Sequence, residues 1–167
     1  SMQEVLNQSL NTGAIYVMQQ LGAERFEKYF QDFGLLTEKT GIDLPGETIG
    51  QNNLKSRRAV EFATASFGQG VSMTPLAALT ALSALANNGQ LVHPFVPKEI
   101  DYAPQPTIET KPIIKRRVIA AETARVITAM LVKVGDKTLS HIQESLPRYQ
   151  VAAKTGTAQI SKPGGGY

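Results

Sequence analysis

The sequence predicts a mixed α+β domain, because long runs with apolar residues at helical spacing alternate with short β-type runs and proline-dotted connectors. Three observations carry that expectation. "NTGAIYVMQQLG" and "AERFEKYFQDFG" repeat one design, an amphipathic run closed by a glycine. "TPLAALTALSALANNG" opens on a capping threonine followed by proline and stays apolar until its own glycine. "VAAKTGTAQI", near the C-terminus, has β-type residues at both ends and polar ones between. At 167 residues the chain is long enough to bury one real core.

In order along the chain, the first helix ends at Gly22. The second places Phe26, Tyr29, Phe30 and Phe33 on one face, a spacing typical of core, before Gly34 closes it. Residues 35–58 are turn-rich, with Gly41, Pro45, Gly46 and Gly50 in "GIDLPGETIGQ", and read as ordered loop. The glycines of "SFGQGVSM" suggest a tight backbone passage. Thr74 and Pro75 then start a helix that is apolar on most of its circumference and is expected to be buried on most of it. "LVHPFVPKEI" and "PQPTIETKPIIKRRVI" read as short strands or connectors. A further helix is expected from Ala121 to Val134, ended by Gly135, and "GDKTLSHIQESLPR" as loop or short helix. The last expected strand is Val151–Ile160.

Composition excludes several classes of function. The formal charge of +3 is mild and scattered. Lys115-Arg116-Arg117 is the one tight basic cluster and reads as a solvated face, too short for a phosphate-binding tract. Few aromatics interleave with basic residues, so nucleic acid is not an expected partner. The absence of cysteine excludes disulfides, zinc–thiolate sites and thiol nucleophiles. His93 and His141 have no ligand-spaced companion, which argues against a metal site and a serine–histidine pair; His93 reads as structural. No metal or cofactor is implied. No apolar run approaches the ~20 residues of a membrane span. Ser1-Met2 reads as a cloning remnant, and residues 3–167 as an excised piece of a larger domain.

Chemistry concentrates in Lys154-Thr155-Gly156-Thr157. On a strand, Thr155 and Thr157 share one face, and two hydroxyls beside a cation suit a carboxylate. Gly156 exposes backbone where something comes close. A surface strand with a free lysine is the plain alternative. Ser9 and Asn11 stand two apart in "SLNTGA", an S-x-N in which either residue could simply cap the helix that follows. Together, S-x-N and K-T-G match a known signature of penicillin-binding proteins and β-lactamases.

Through "SLNTGAI", "TGIDLPGETIGQ", "ATASFGQGVSMTPLAALTALSALANNGQLVHP" and "VAAKTGTAQISKPGGGY" the chain resembles the C-terminal part of a class B penicillin-binding protein transpeptidase domain of the septal division type. The resemblance covers nearly the whole chain. Ala153 and Ala77 stand where the family often has glycine and glutamine. The resemblance implies the mostly helical part of that fold plus the K-T-G strand of an antiparallel sheet. It implies a peptidoglycan D,D-transpeptidase that cross-links stem peptides through a serine acyl-enzyme and binds β-lactams. Ser9 is then expected to relay a proton and Asn11 to hold the substrate amide. Lys154 would supply positive potential, while Thr155 and Thr157 hold the carboxylate of D-Ala-D-Ala. The Thr157 N–H would donate to the oxyanion, and Gly156 would leave room for the peptide. The implied setting is outside the cytoplasmic membrane, on an N-terminal anchor, among division-complex proteins.

The nucleophile motif S-x-x-K occurs nowhere in the 167 residues and is expected to precede them, so this polypeptide by itself is expected to be inactive. The K-T-G strand is expected to present an open edge, favouring self-association. A β-lactamase or β-lactam sensor on the same fold, and a non-catalytic binding module, are the alternative readings.

Overall fold

Local capping fixes where several helices begin and end. The structure is a computed structural model describing residues 1–36, 38–104 and 106–156. Its order is α1 (Met2–Asn7), α2 (Asn11–Leu21), α3 (Ala23–Asp32), β1 (Gln51–Asn52), a 3₁₀ turn (Leu54–Ser56), α4 (Ala59–Ala65), β2 (Val71–Ser72), α5 (Pro75–Ala86), β3 (Gln90–His93), β4 (Glu99–Ile100), β5 (Ile108–Glu109), β6 (Ile113–Arg117), α6 (Ala121–Thr138) and α7 (Ser140–Ser145). This is the mixed α+β architecture expected. The chain forms two compact units, Ser1–Glu27 with Asn52–Ser72 and Val126–Tyr167, and Lys28–Gln51 with Met73–Arg125.

In the first unit, the Ser1 hydroxyl accepts from the Glu4 N–H at 3.3 Å and caps α1, a helix the sequence did not announce. Gly13 lets α2 lie against α1, since a Cβ there would stand 2.6 Å from Cγ2 of Val5. The Phe26 ring meets Phe62 of α4 edge-on, with centroids 6.4 Å apart and planes at 70°. α4 is the second unannounced helix; its seven residues are too few to show a period, and burial of Phe62 and Ala65 holds it. Leu54, Phe62, Ala65 and Val134 are the most buried apolar side chains of this unit.

Gly135 was expected to end α6, yet the helix runs on to Thr138. The glycine serves a close approach instead: a Cβ on it would lie 2.1 Å from the Val151 carbonyl oxygen. The Ala153 N–H adds a 3.1 Å hydrogen bond to the Leu131 carbonyl. Val151 and Ala153 therefore rest on a helix, and none of residues 151–156 is a strand, which corrects the expectation for this part of Val151–Ile160. Residues 157–160 lie outside the described residues. Residues 151–156 accordingly present no strand edge.

In the second unit β3 pairs antiparallel with β6, Gln90 opposite Arg117 and His93 opposite Ile113, with a register shift between Leu91 and Val92. β4 and β5 form a second short ladder. Ala84, Leu91 and Val118 form the core, with Phe33 and Ile119 packed on it. Thr74 caps α5, accepting from the Ala77 N–H at 3.1 Å, and Pro75 follows as expected. The buried face of α5 is small, Ala77, Thr80, Ala81 and Ala84, whereas Leu79 and Leu82 are 65% and 63% exposed. Burial on most sides was thus an overestimate. The same holds for the aromatic stripe: Phe26, Phe30 and Phe33 are half-buried and Tyr29 is exposed.

The basic cluster is not a free solvated face either. Arg116 donates to the Asp32 carbonyl at 2.7 Å and the Gln31 carbonyl at 3.0 Å, satisfying the C-terminal end of α3. It also reaches Glu38 at 2.6 Å, as Lys115 does at 3.3 Å. The Arg116 hydrogen bond leads in holding the Glu38 carboxyl below its ordinary range. In the loop that follows, the Glu47 carboxylate accepts from the hydroxyl and N–H of Thr40 and from the Gly41 N–H, and the Thr40 hydroxyl leads in keeping it acidic. That latch makes the turn-rich segment the ordered loop expected of it.

Candidate active site

Ser9 reaches its position through the way α1 stops. Its N–H donates to the Leu6 carbonyl at 3.3 Å and the Leu10 N–H to the Val5 carbonyl at 3.0 Å. These two bonds are those of a Schellman ending, with Ser9 in the left-handed position at φ 52°. That position usually falls to glycine, so a serine there carries backbone strain. Neither Ser9 nor Asn11 caps α2, whose N-cap is Leu10 with no side-chain hydrogen bond. The Ser9 hydroxyl is therefore free for another partner, and Asn11 stands exposed at the first position of α2.

That partner is Lys154. Its ammonium donates to the Ser9 hydroxyl at 2.7 Å and to the carbonyl of its neighbour Thr155, also at 2.7 Å. Two residues separated by 145 positions are joined here because α6 serves both strands of the connection. Gln3 of α1 donates to the Met130 carbonyl at 3.1 Å, and Ala153 to the Leu131 carbonyl one residue further on.

Between them opens a cleft of about 700 Å³, lined by Val5, Leu6, Ser9, Leu10, Asn11, Ala14, Ser66, Phe67, Gln69, Lys154, Thr155 and Gly156. Among the described residues Lys154 is the one charged group in this lining, and the N-terminus of α2 adds positive partial charge. Among the described residues no acid pairs with Lys154. The cleft is thus suited to an anion held by an ammonium, hydroxyls and an amide. Gly156 is exposed, and among the described residues nothing lies within 4 Å of where a Cβ would stand. Thr155 lies on the cleft wall, and Thr157 lies outside the described residues.

Sequence reasoning missed part of this lining. Ser66, Phe67 and Gln69 come from the block read only as a tight passage. Gly68 and Gly70, at φ 88° and 71°, turn the backbone there and bring Gln69 to the cleft. Val5 and Leu6 come from the unannounced α1. Among the described residues no group of histidines and acids could hold a metal. No described helix is long and apolar enough to cross a membrane.

Comparison with known proteins shows the family. Residues 1–167 match the family model of the penicillin binding protein transpeptidase domain. Stage V sporulation protein D of Bacillus subtilis is 41% identical over 96% of this chain and 25% of its own length. Penicillin-binding protein PbpB of Mycobacterium tuberculosis is 35% identical over 97% of this chain and likewise 25% of its length. The chain thus spans about a quarter of the curated relatives it matches. Penicillin binding protein 3 of Mycobacterium tuberculosis, in its apo crystal structure, superposes with a TM-score of 0.85 at 33% identity, over 98% of this chain and 38% of that one. The same protein complexed with aztreonam gives a TM-score of 0.82 at 32% identity, over the same shares. Matched over its whole length by the family model and more than 30% identical to these relatives, the chain belongs to the penicillin-binding protein transpeptidase family.

Proposed function

We propose that these residues form the carboxylate-binding and proton-relaying side of a peptidoglycan D,D-transpeptidase site, in a class B protein of the division type. The observation that carries the reading is the 2.7 Å contact between the Lys154 ammonium and the Ser9 hydroxyl, in a cleft whose described lining residues include no acid. An acyl-D-Ala-D-Ala peptide ends in a carboxylate. Lys154 and Thr155, with Thr157 beyond them, are the groups to grip it. Asn11, whose side-chain amide has no hydrogen-bond partner among the described residues, is placed to bond a peptide amide. Ser9, hydrogen-bonded to an ammonium, is placed to pass a proton towards a leaving amine during acyl transfer. β-Lactams, which carry a comparable carboxylate, are expected in the same cleft. Division proteins are the expected partners, and the outer face of the cytoplasmic membrane the expected location.

The 167 residues contain no S-x-x-K, so the nucleophile is not assigned to them. Two measurements on this polypeptide test the proposal. Labelled penicillin is expected to leave no covalent band, and a band abolished by excess unlabelled drug would refute the division of labour. Titration with acetyl-D-Ala-D-Ala is expected to perturb the NMR signals of Ser9, Asn11 and Lys154. Signals that stay put at saturating peptide would remove the carboxylate reading.

A further inference from the structure

Nothing in α1 is buried, and it is only six residues long, too short to be stable by itself. Yet it delivers Ser9. Besides the packing of Val5 against Gly13 of α2, the Gln3 side-chain amide, whose nitrogen has two N–H donors, ties it down. One goes to Asn7 Oδ1 at 2.9 Å, within the helix. The other crosses to the Met130 carbonyl of α6 at 3.1 Å. On the next residue of α6, the Leu131 carbonyl receives the Ala153 N–H. One turn later Gly135 admits the Val151 carbonyl. Six consecutive residues of α6, Met130 to Gly135, thus carry the mount for Ser9 and the mount for Lys154. A hydrogen bond of 2.7 Å between two exposed side chains tolerates little displacement of either.

We propose that Gln3 is a positioning residue for the Ser9–Lys154 pair, holding the α1 end in register with the segment that carries Lys154. This rests on the reading of that pair as a peptide-carboxylate site. Gln3 touches no part of the cleft lining's polar set, and its influence passes through the backbone of α1 to the Schellman turn. Its chemistry is specific: the tether needs a donor at position 3. Glutamate, equal in shape but acceptor-only when ionised, breaks it, whereas lysine keeps a donor of similar reach.

The test uses this 167-residue chain, with nuclear Overhauser contacts between the Ser9 Cβ and Lys154 Cε protons as the readout and acetyl-D-Ala-D-Ala as the probe. Gln3→Glu and Gln3→Ala are expected to lose those contacts and to bind the peptide about 5-fold more weakly, the worth of one ordinary hydrogen bond. The Phe26–Phe62 contacts should stay unchanged, which a general loosening of the unit would not allow. Gln3→Lys is expected to recover most of both signals. Gln3→Glu with the Ser9–Lys154 contacts and affinity intact would overturn the proposal. If instead Ser9→Ala leaves peptide affinity unaltered, the site reading itself fails and the role of Gln3 falls with it. Should the Glu variant unfold, Gln3→Ala alone decides, because alanine is the strongest helix former and leaves α1 intact.

Discussion

Ser9 sits in a backbone conformation that its own side chain disfavours, at φ 52°. Strain retained at a residue whose hydroxyl meets Lys154 is characteristic of functional positions, and it separates stability from function experimentally. Ser9→Gly and Ser9→Ala both remove the hydroxyl, but only glycine accepts the left-handed region freely. Ser9→Gly is expected to be about 1 kcal/mol more stable than Ser9→Ala in urea denaturation. Both should bind acetyl-D-Ala-D-Ala more weakly than the parent. Equal stabilities of the two would mean that the turn is not held as described. Residue scale is also where sequence reading worked best. Lys154, Thr155 and Gly156, singled out by their types, all line the cleft.

At the scale of elements, contact with a neighbour decided what local pattern left open. Gly13 reads as an ordinary helix-weakening residue, yet Val5 methyl groups fill the space where its Cβ would be, at 2.6 and 2.7 Å. Gly13→Ala is expected to destabilise the chain by ~1–3 kcal/mol through overpacking, despite alanine's better helix propensity. Adding Val5→Ala should recover much of the loss, as seen in a double-mutant cycle of thermal midpoints. Gly135→Ala is a different case. The obstructing atom there is a backbone carbonyl, so trimming the Val151 side chain should bring no recovery. Its distance from Lys154 in sequence hides the link, since the glycine at the end of a periodic run otherwise looks like a C-cap.

For the whole molecule, acid is the condition expected to unmake the second unit. Glu38, bonded first by Arg116, and Glu47, bonded first by Thr40, both have carboxyls held below the ordinary 4.5. A carboxylate whose folded value is depressed stabilises above its unfolded value and loses that contribution as pH falls through the folded one. The urea midpoint is therefore expected to hold steady at neutral pH and to decline below about pH 4.5. Arg116→Met and Glu47→Gln should each flatten part of that decline, modestly, because both carboxylates are partly solvated. A midpoint unchanged between about pH 6 and pH 3 would contradict these two bonds. The basic cluster that carries Arg116 was read as solvent-facing, since sequence shows charge but not the carbonyls and acid that the fold sets against it.

Sequence alone determined the helices with caps and periods, α2, α3 and α5, the mixed α+β class, and the S-x-N and K-T-G residues that carry the family resemblance. It did so because propensity, capping and turn chemistry act between near neighbours and are written in consecutive residues. Only the tertiary structure decided that α1 and α4 exist, that Gly135 lies inside α6, and that Val151 and Ala153 rest on that helix. It alone showed Ser9 and Lys154 in contact. Those outcomes depend on packing and hydrogen bonds between segments far apart in the chain, and no local pattern records which distant backbone a residue will meet.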